Sequence, residues 1–276
     1  MPTSFNRLFM TAALFATAVF AQDQRQLVTA KDYCVKVAPE KAAQYESFMH
    51  EFLMPMNQAR ADNGEIAWSL VARAVVPSGK SAPCDYRTVY GYNGYPGDPT
   101  PDFGVIDAAL KRAKLNMTAA QMLAKLTAMG ELANVEYWVA EAQVGSGQGK
   151  GSYLILNHYK ANNAAEWLRL ETTYWQPLVA EHVKGGAKAA WSAWEMWIPG
   201  GAPPGDSSPY NVQTVDQFPD WNSLVHGLPV GELWPKVHPH EEMTHFFDAD
   251  GKAASTYDRE VYKVVDIVAA SNGISK

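Results

Sequence analysis

The residue setting in this sequence best suited to chemistry is a carboxylate among indoles. The stretch at 190–198 reads AWSAWEMWI. Strand alternation puts Trp191, Ala193, Glu195 and Trp197 on one face. Burial among rings raises a carboxyl pKa and suits it to general acid or base work. The competing reading is a Glu195 that faces water while the tryptophans fill core. His158, on another strand-like stretch, is the second acid/base candidate. His182 follows Glu181 at the end of a long helical pattern, where the helix dipole explains it structurally. Trp191, Trp194, Trp197 and Tyr174 are the expected apolar walls of a ligand pocket. Gln213 is the expected polar contact, and Arg87 is a further strand residue able to point inward.

Other chemistry is less well supported. His238-Pro239-His240-Glu241-Glu242, with His245, has metal-binding residue types but not the HExxH spacing. Pro239 fits a first helical turn, and Glu241 and His245 make an ordinary i,i+4 pair. No metal ligand is therefore assigned. No Gly-rich phosphate loop and no GxSxG elbow occurs. Cys34 and Cys84 form no CxxC motif. They can pair in an oxidising compartment, but the repeat described next has no cysteine in its second copy, so both states stay open.

The elements that must hold these residues occur twice. Tyr45–Met56 reads YESFMHEFLMPM, and Trp167–Leu178 reads WLRLETTYWQPL. Tyr45 answers Trp167, Phe52 answers Tyr174 and Pro55 answers Pro177. Ala67-Trp68-Ser69 aligns with Ala190-Trp191-Ser192, which gives Glu195 the counterpart Ala72, while the helix spacing of 122 gives His158 the counterpart Lys36. Each copy reads strand, helix, strand, strand, helix, strand. In the first copy these are 32–37, 40–54, 66–76, 86–92, 103–132 (broken near Thr118) and 135–144. In the second they are 153–159, 164–184, 190–198, 210–218, 220–254 and 260–268. This is the split βαβ order. The halves are assigned to 31–144 and 152–270, with a Gly-rich linker at 145–151. A four-stranded sheet with helices on one face leaves the other face bare, and the second copy can cover it.

Element order, the duplicated helix and the paired tryptophan strands resemble the dimeric α/β-barrel superfamily in a fused, single-chain form. The resemblance implies two ferredoxin-like sheets back to back, an α+β fold, and a ligand between each sheet and its own helices. Members include cofactor-free monooxygenases, isomerases, haem proteins and binding proteins. The expected function is binding of a small apolar or aromatic molecule in the second half. The alternatives are a cofactor-independent monooxygenase or isomerase using Glu195 or His158, and a haem protein using His158; otherwise no cofactor is expected.

Arg7 and the apolar run Leu8–Phe20, ending at Ala21, predict a secretory leader over 1–21 and export to a periplasmic or extracellular space. A formal charge of −6, with no basic cluster, argues against nucleic-acid and anionic-membrane partners. Oligomeric state is not readable.

Overall fold

Each half of the chain buries the bare sheet face of the other. The computed structural model describes residues 27–97, 102–147, 149–198 and 209–271. The expected leader at 1–21 and residue 148 of the Gly-rich linker lie outside them. The first half contains β1 (Val28–Val37), α1 (Ala42–Phe48), a π turn (Met49–Leu53), α2 (Met54–Asp62), β2 (Trp68–Val76), β3 (Tyr86–Asn93), α3 (Phe103–Arg112), α4 (Ala119–Met129) and β4 (Gly130–Gly145). The second contains β5 (Tyr153–Ala161), α5 (Ala164–Leu170), a π turn (Glu171–Trp175), α6 (Gln176–Lys184), β6 (Ala190–Ile198), β7 (Val212–Phe218), α7 (Trp221–His226), α8 (Val230–Val237), α9 (Met243–Ala253) and β8 (Ala254–Ala269).

The strands form one closed antiparallel barrel in the order β1-β3-β2-β8-β5-β7-β6-β4. Each half contributes the sheet expected of a ferredoxin-like unit. Closure falls to the two 16-residue strands, β4 and β8. Each is long enough to pair with its own half and with the other: β4 with β1 and β6, β8 with β5 and β2. Closure leaves no sheet edge unpaired. Among the described residues no helix is long and apolar enough to cross a membrane.

Both copies carry a π turn at the same place. Pro55 and Pro177 lie in the first turn of α2 and α6. Proline has no N–H to donate to the residue four before it, so the preceding turn can widen to i→i−5 bonds. The Met54 N–H accordingly donates to the Met49 carbonyl, and the Gln176 N–H to that of Glu171. The sequence predicted an end or kink there, and the helix instead continues. The break predicted near Thr118 is present, with a capping box between Thr118 and Gln121.

The strand registers correct one part of the sequence alignment. Trp68 lies opposite Gly91, as Ala190 lies opposite Gln217. Trp68 is thus the counterpart of Ala190, not Trp191. A one-residue slip reverses the face: Trp68 points into the barrel, whereas Trp191 packs under the helices. Gly91 makes room for Trp68, since a Cβ there would come within 2.1 Å of the indole.

The barrel interior is half apolar and half ionic. Ala30, Trp138 and Trp194 pack together in one layer, and Leu154, Leu156 and Val264 surround the Cys34–Cys84 disulfide in another. Between them lies Arg87, 4% exposed. Its guanidinium donates to Asp32 at 2.7 Å and to Glu260 at 3.1 Å, and stands 4.0 Å from Glu136. Glu136 also accepts from the Tyr210 hydroxyl at 2.5 Å and the Trp138 indole at 3.2 Å, and Glu260 accepts from Tyr262. The network ties the halves together. Arg87→Met should lower unfolding stability by about 3–5 kcal/mol, because it strands buried carboxylates. Urea unfolding checks this, and a loss below about 1 kcal/mol would show that the network is dispensable.

Candidate functional site

The seven residues assigned from sequence fall in three separate places. His158, Trp194 and Gln213 face the barrel interior. Trp194 is 9% exposed and donates its indole N–H to Ser192 at 2.6 Å. Trp191 and Tyr174 lie on the other side of the sheet, under the helices of the second half. Glu195 and Trp197 share a face with Trp191 as expected, but they extend past the helical cover. Glu195 is exposed rather than held between rings, and Trp197 is 45% exposed, packed on Tyr95. Glu195 and His158 therefore do not converge. Two surface grooves, of about 290 and 470 Å³, involve none of the seven.

The structure instead assembles a polar site between the second sheet and its helices. Glu171 opens the π turn that Pro177 permits, and its carboxyl is within electrostatic reach of Asp216 on the sheet. Only 5% of it is exposed. Asp216 and Thr214 come from β7, Asn157 and Tyr159 from β5, Lys188 from the segment before β6, His182 from α6 and Asp250 from α9. Lys188 pairs with Asp216, both buried. Asn157 donates to Asp216 at 2.8 Å and to Thr214 at 3.0 Å, and accepts from Arg259 at 2.6 Å. Trp167, Trp191 and Tyr159 wall the site, with Trp167 5.8 Å from the Tyr159 ring.

Electrostatics single out Glu171. Burial pushes its carboxyl well above the usual range, repulsion from Asp250 and Asp216 adds to this, and Lys188 opposes it. Burial likewise lifts Asp250 to about 6. His182 moves down, through burial first and then the Lys188 charge, so it is held toward the neutral imidazole. Five atoms of this region have no hydrogen-bond partner among the described residues: Glu171 Oε2, Asp250 Oδ1, His182 Nδ1 and the indole nitrogens of Trp167 and Trp191. Buried polar groups are nearly always partnered, so this region carries polar demand that its own residues do not meet.

The first half is the internal control. Both π turns begin at equivalent positions, so Glu171 corresponds to Met49. α4 and α9 each end where the last strand begins, so Asp250 corresponds to Leu126. The ladders make Asp216 the counterpart of Tyr90. Met49 lies in a closed apolar core. The fold is thus satisfied by methionine and leucine where the second half has carboxyls.

Comparison with known proteins agrees with this architecture. No protein-family model matches the chain, and no curated protein matches it either. Among solved structures, a candidate monooxygenase of Fusobacterium nucleatum aligns over 88% of this chain and 94% of its own, at 10% identity and a TM-score of 0.52. A second candidate monooxygenase, from Lactobacillus acidophilus, aligns over 88% and 96%, at 6% identity and a TM-score of 0.53. The chain thus has the dimeric α/β-barrel fold, with both halves in one chain. At these identities the likeness establishes the fold alone.

The imidazoles considered for metal or haem lie apart from this site. The His238 Nε2 donates to the Tyr174 carbonyl at 2.9 Å, while His245 sits at the surface 3.8 Å from Glu242. His158 is fully buried, its ring centroid 4.2 Å from that of Tyr210. A porphyrin cannot reach it without displacing that aromatic layer, so the barrel interior does not fit haem ligation by His158.

The raised carboxyls give stability a pH slope. A folded pKa above the unfolded value means that the contribution is full below about pH 4 and is lost as pH rises through the folded value. Asp250 places one such loss between the unfolded value and about 6, and Glu171 extends it upward. Glu171→Met, which copies Met49, should flatten the slope and stabilise the protein by about 1–4 kcal/mol near pH 8. Urea unfolding at acid and alkaline pH checks this. An unchanged slope would mean that Glu171 titrates as an ordinary surface carboxyl.

Proposed function

We propose that this is an exported small-molecule protein whose second half takes an apolar or aromatic ligand between its sheet and its helices, and that Glu171 moves a proton on that ligand. The observation that carries the reading is the Glu171 carboxyl, buried beside indoles, raised in pKa and unpartnered at Oε2. It occupies a position where the same fold in the first half is content with methionine. Rings supply the apolar wall, and few, convergent polar groups supply orientation.

In this reading Glu171 and Asp250 divide the acid and base roles. Two carboxyls in mutual repulsion favour a state with one proton between them. The ionised partner takes a proton from an acidic C–H or O–H of the ligand, and the protonated one returns it at a second position. Net proton transfer of this kind isomerises a carbonyl or phenolic compound without a cofactor. With dioxygen as the oxidant, the same carbanion or phenolate takes one oxygen atom at its reacting carbon and gives up two hydrogens, so that carbon becomes a carbonyl and the second oxygen atom leaves as water. Neutral His182 can accept a hydrogen bond from the ligand. A second reading, binding without reaction, is favoured by the stacked rings of Tyr174, Trp234, Trp175 and Phe246 nearby. Export is supported by the leader-like run at 8–20 and by the Cys34–Cys84 bridge, a bond typical of oxidising compartments.

Hydroxyaromatic probes such as 1-naphthol should quench tryptophan fluorescence. The wild type should also exchange ring or α protons with deuterated solvent, or consume oxygen. Glu171→Gln should keep the quenching and lower the turnover about 10²-fold or more. Quenching without turnover in either protein would support the binding reading. Unchanged turnover in Glu171→Gln would overturn the role of this residue.

A further inference from the structure

The barrel interior holds a second cluster that this proposed reaction does not use. Donor atoms of His158, Asp258 and Glu260 all lie within 4.8 Å of one another. The His158 Nδ1 is 2.5 Å from Asp258. Its Nε2 is fully buried and has no hydrogen-bond partner among the described residues. Gln213, directly opposite His158 on β7, also has a buried and unpartnered side-chain oxygen. The Asp258 pairing therefore leaves the polar demand of this corner unmet.

Comparing the two copies shows what changed. The β1–β4 ladder shifts register after Cys34, and the β5–β8 ladder shifts after His158, so these two residues are equivalent. His158 thus answers Cys34 rather than the Lys36 expected from sequence spacing. The same ladders equate Asn134 with Asp258 and Glu136 with Glu260. Arg87, opposite Cys34, corresponds to Gln213. From first copy to second, a disulfide-bonded cysteine stands against an imidazole, an amide against a carboxylate, and a guanidinium against a neutral amide. Each exchange removes positive charge or adds a metal-ligating group. The charges are also unbalanced: Asp32, Glu136 and Glu260 are buried around the single guanidinium of Arg87.

The corner in the first copy is covalently stapled, since Cys34 is bonded to Cys84. A small α+β unit can be cross-linked equally well by a disulfide or by a structural metal ion.

We propose that His158, Asp258 and Glu260 bind one divalent transition-metal ion, of the zinc class, which cross-links β5 and β8 as the disulfide links its own corner of the first half. One imidazole and two carboxylates suit zinc or its neighbours better than magnesium or calcium. Tetrahedral zinc with bonds near 2.0–2.2 Å needs donors about 3.4 Å apart. The donor atoms, within 4.8 Å of one another, need to close to that spacing when the ion enters. Imidazole and carboxylate ligate a metal in their deprotonated forms, so binding weakens in acid.

The test is titration of zinc chloride into the untagged, chelator-treated chain, followed by calorimetry, with elemental analysis of protein grown in zinc-supplemented medium. The proposal expects one ion per chain, a raised melting temperature on zinc addition, and loss of both in His158→Ala. Asp258→Asn, a near-isosteric change at a partly exposed residue, should weaken binding at least tenfold with an unaltered near-UV circular dichroism spectrum, which separates lost ligation from lost folding. His245→Ala should bind as the wild type does. Absence of stoichiometric zinc in the wild type, or equal binding by the wild type and Asp258→Asn, would overturn the proposal and leave a plain His–Asp pair.

Discussion

The constraint beneath this structure is the bare face of a four-stranded sheet. Helices cover one side of each sheet, and the other must be removed from water. Fusing two copies solves this internally, and the solution dictates much else. β4 and β8 must be long, because each serves two sheets. The interior then lies between two sheets and is reached by side chains of both halves. Arg87 from the first half holding Glu260 from the second, and Glu136 from the first accepting from Tyr210 of the second, follow from that closeness. Such a network is a weak source of net stability, but breaking it leaves charge without a partner. It therefore specifies how the halves meet.

Duplication also frees one copy from the other's duties. The first half keeps an apolar seam of Tyr45, Met49, Leu53 and Leu110 between sheet and helices. In the second, the same seam is interrupted by Glu171 and Asp250. Burying a carboxyl without a full set of partners costs folding energy. Since Met49 shows that the fold does not require it, the cost has its explanation in something other than folding. The π turn belongs to the same account: both copies have one, yet only in the second does its first residue carry a carboxyl.

Much of the architecture was legible in the sequence because it was written twice. The YESFMHEFLMPM and WLRLETTYWQPL segments fixed the helix, and the element order fixed the sheets. The faces of the strands were less legible. Matching the AWS triplets sets Trp68 against Trp191, although the spacing of 122 that relates the two helices carries on to Trp68 and Ala190 and so turns one indole inward and the other outward. Glu195 read as a carboxylate between rings because alternation gives the face but not where the helical cover ends. The signal for Glu171 is present but quiet: it stands against Met49 in the very repeat that reveals the fold, a carboxyl at an apolar helix position. His158 was noticed, yet its partners come from β8, distant in sequence and undeclared by any motif.

The account stands most directly on the protonation state of one group. A carbon-13 label on glutamate side chains, with Glu171 assigned by its disappearance in Glu171→Gln, allows its carboxyl to be titrated in the folded protein. The account predicts a carboxyl still protonated near neutral pH, well above the ordinary value of about 4.3. A Glu171 already ionised at about pH 5 would contradict it.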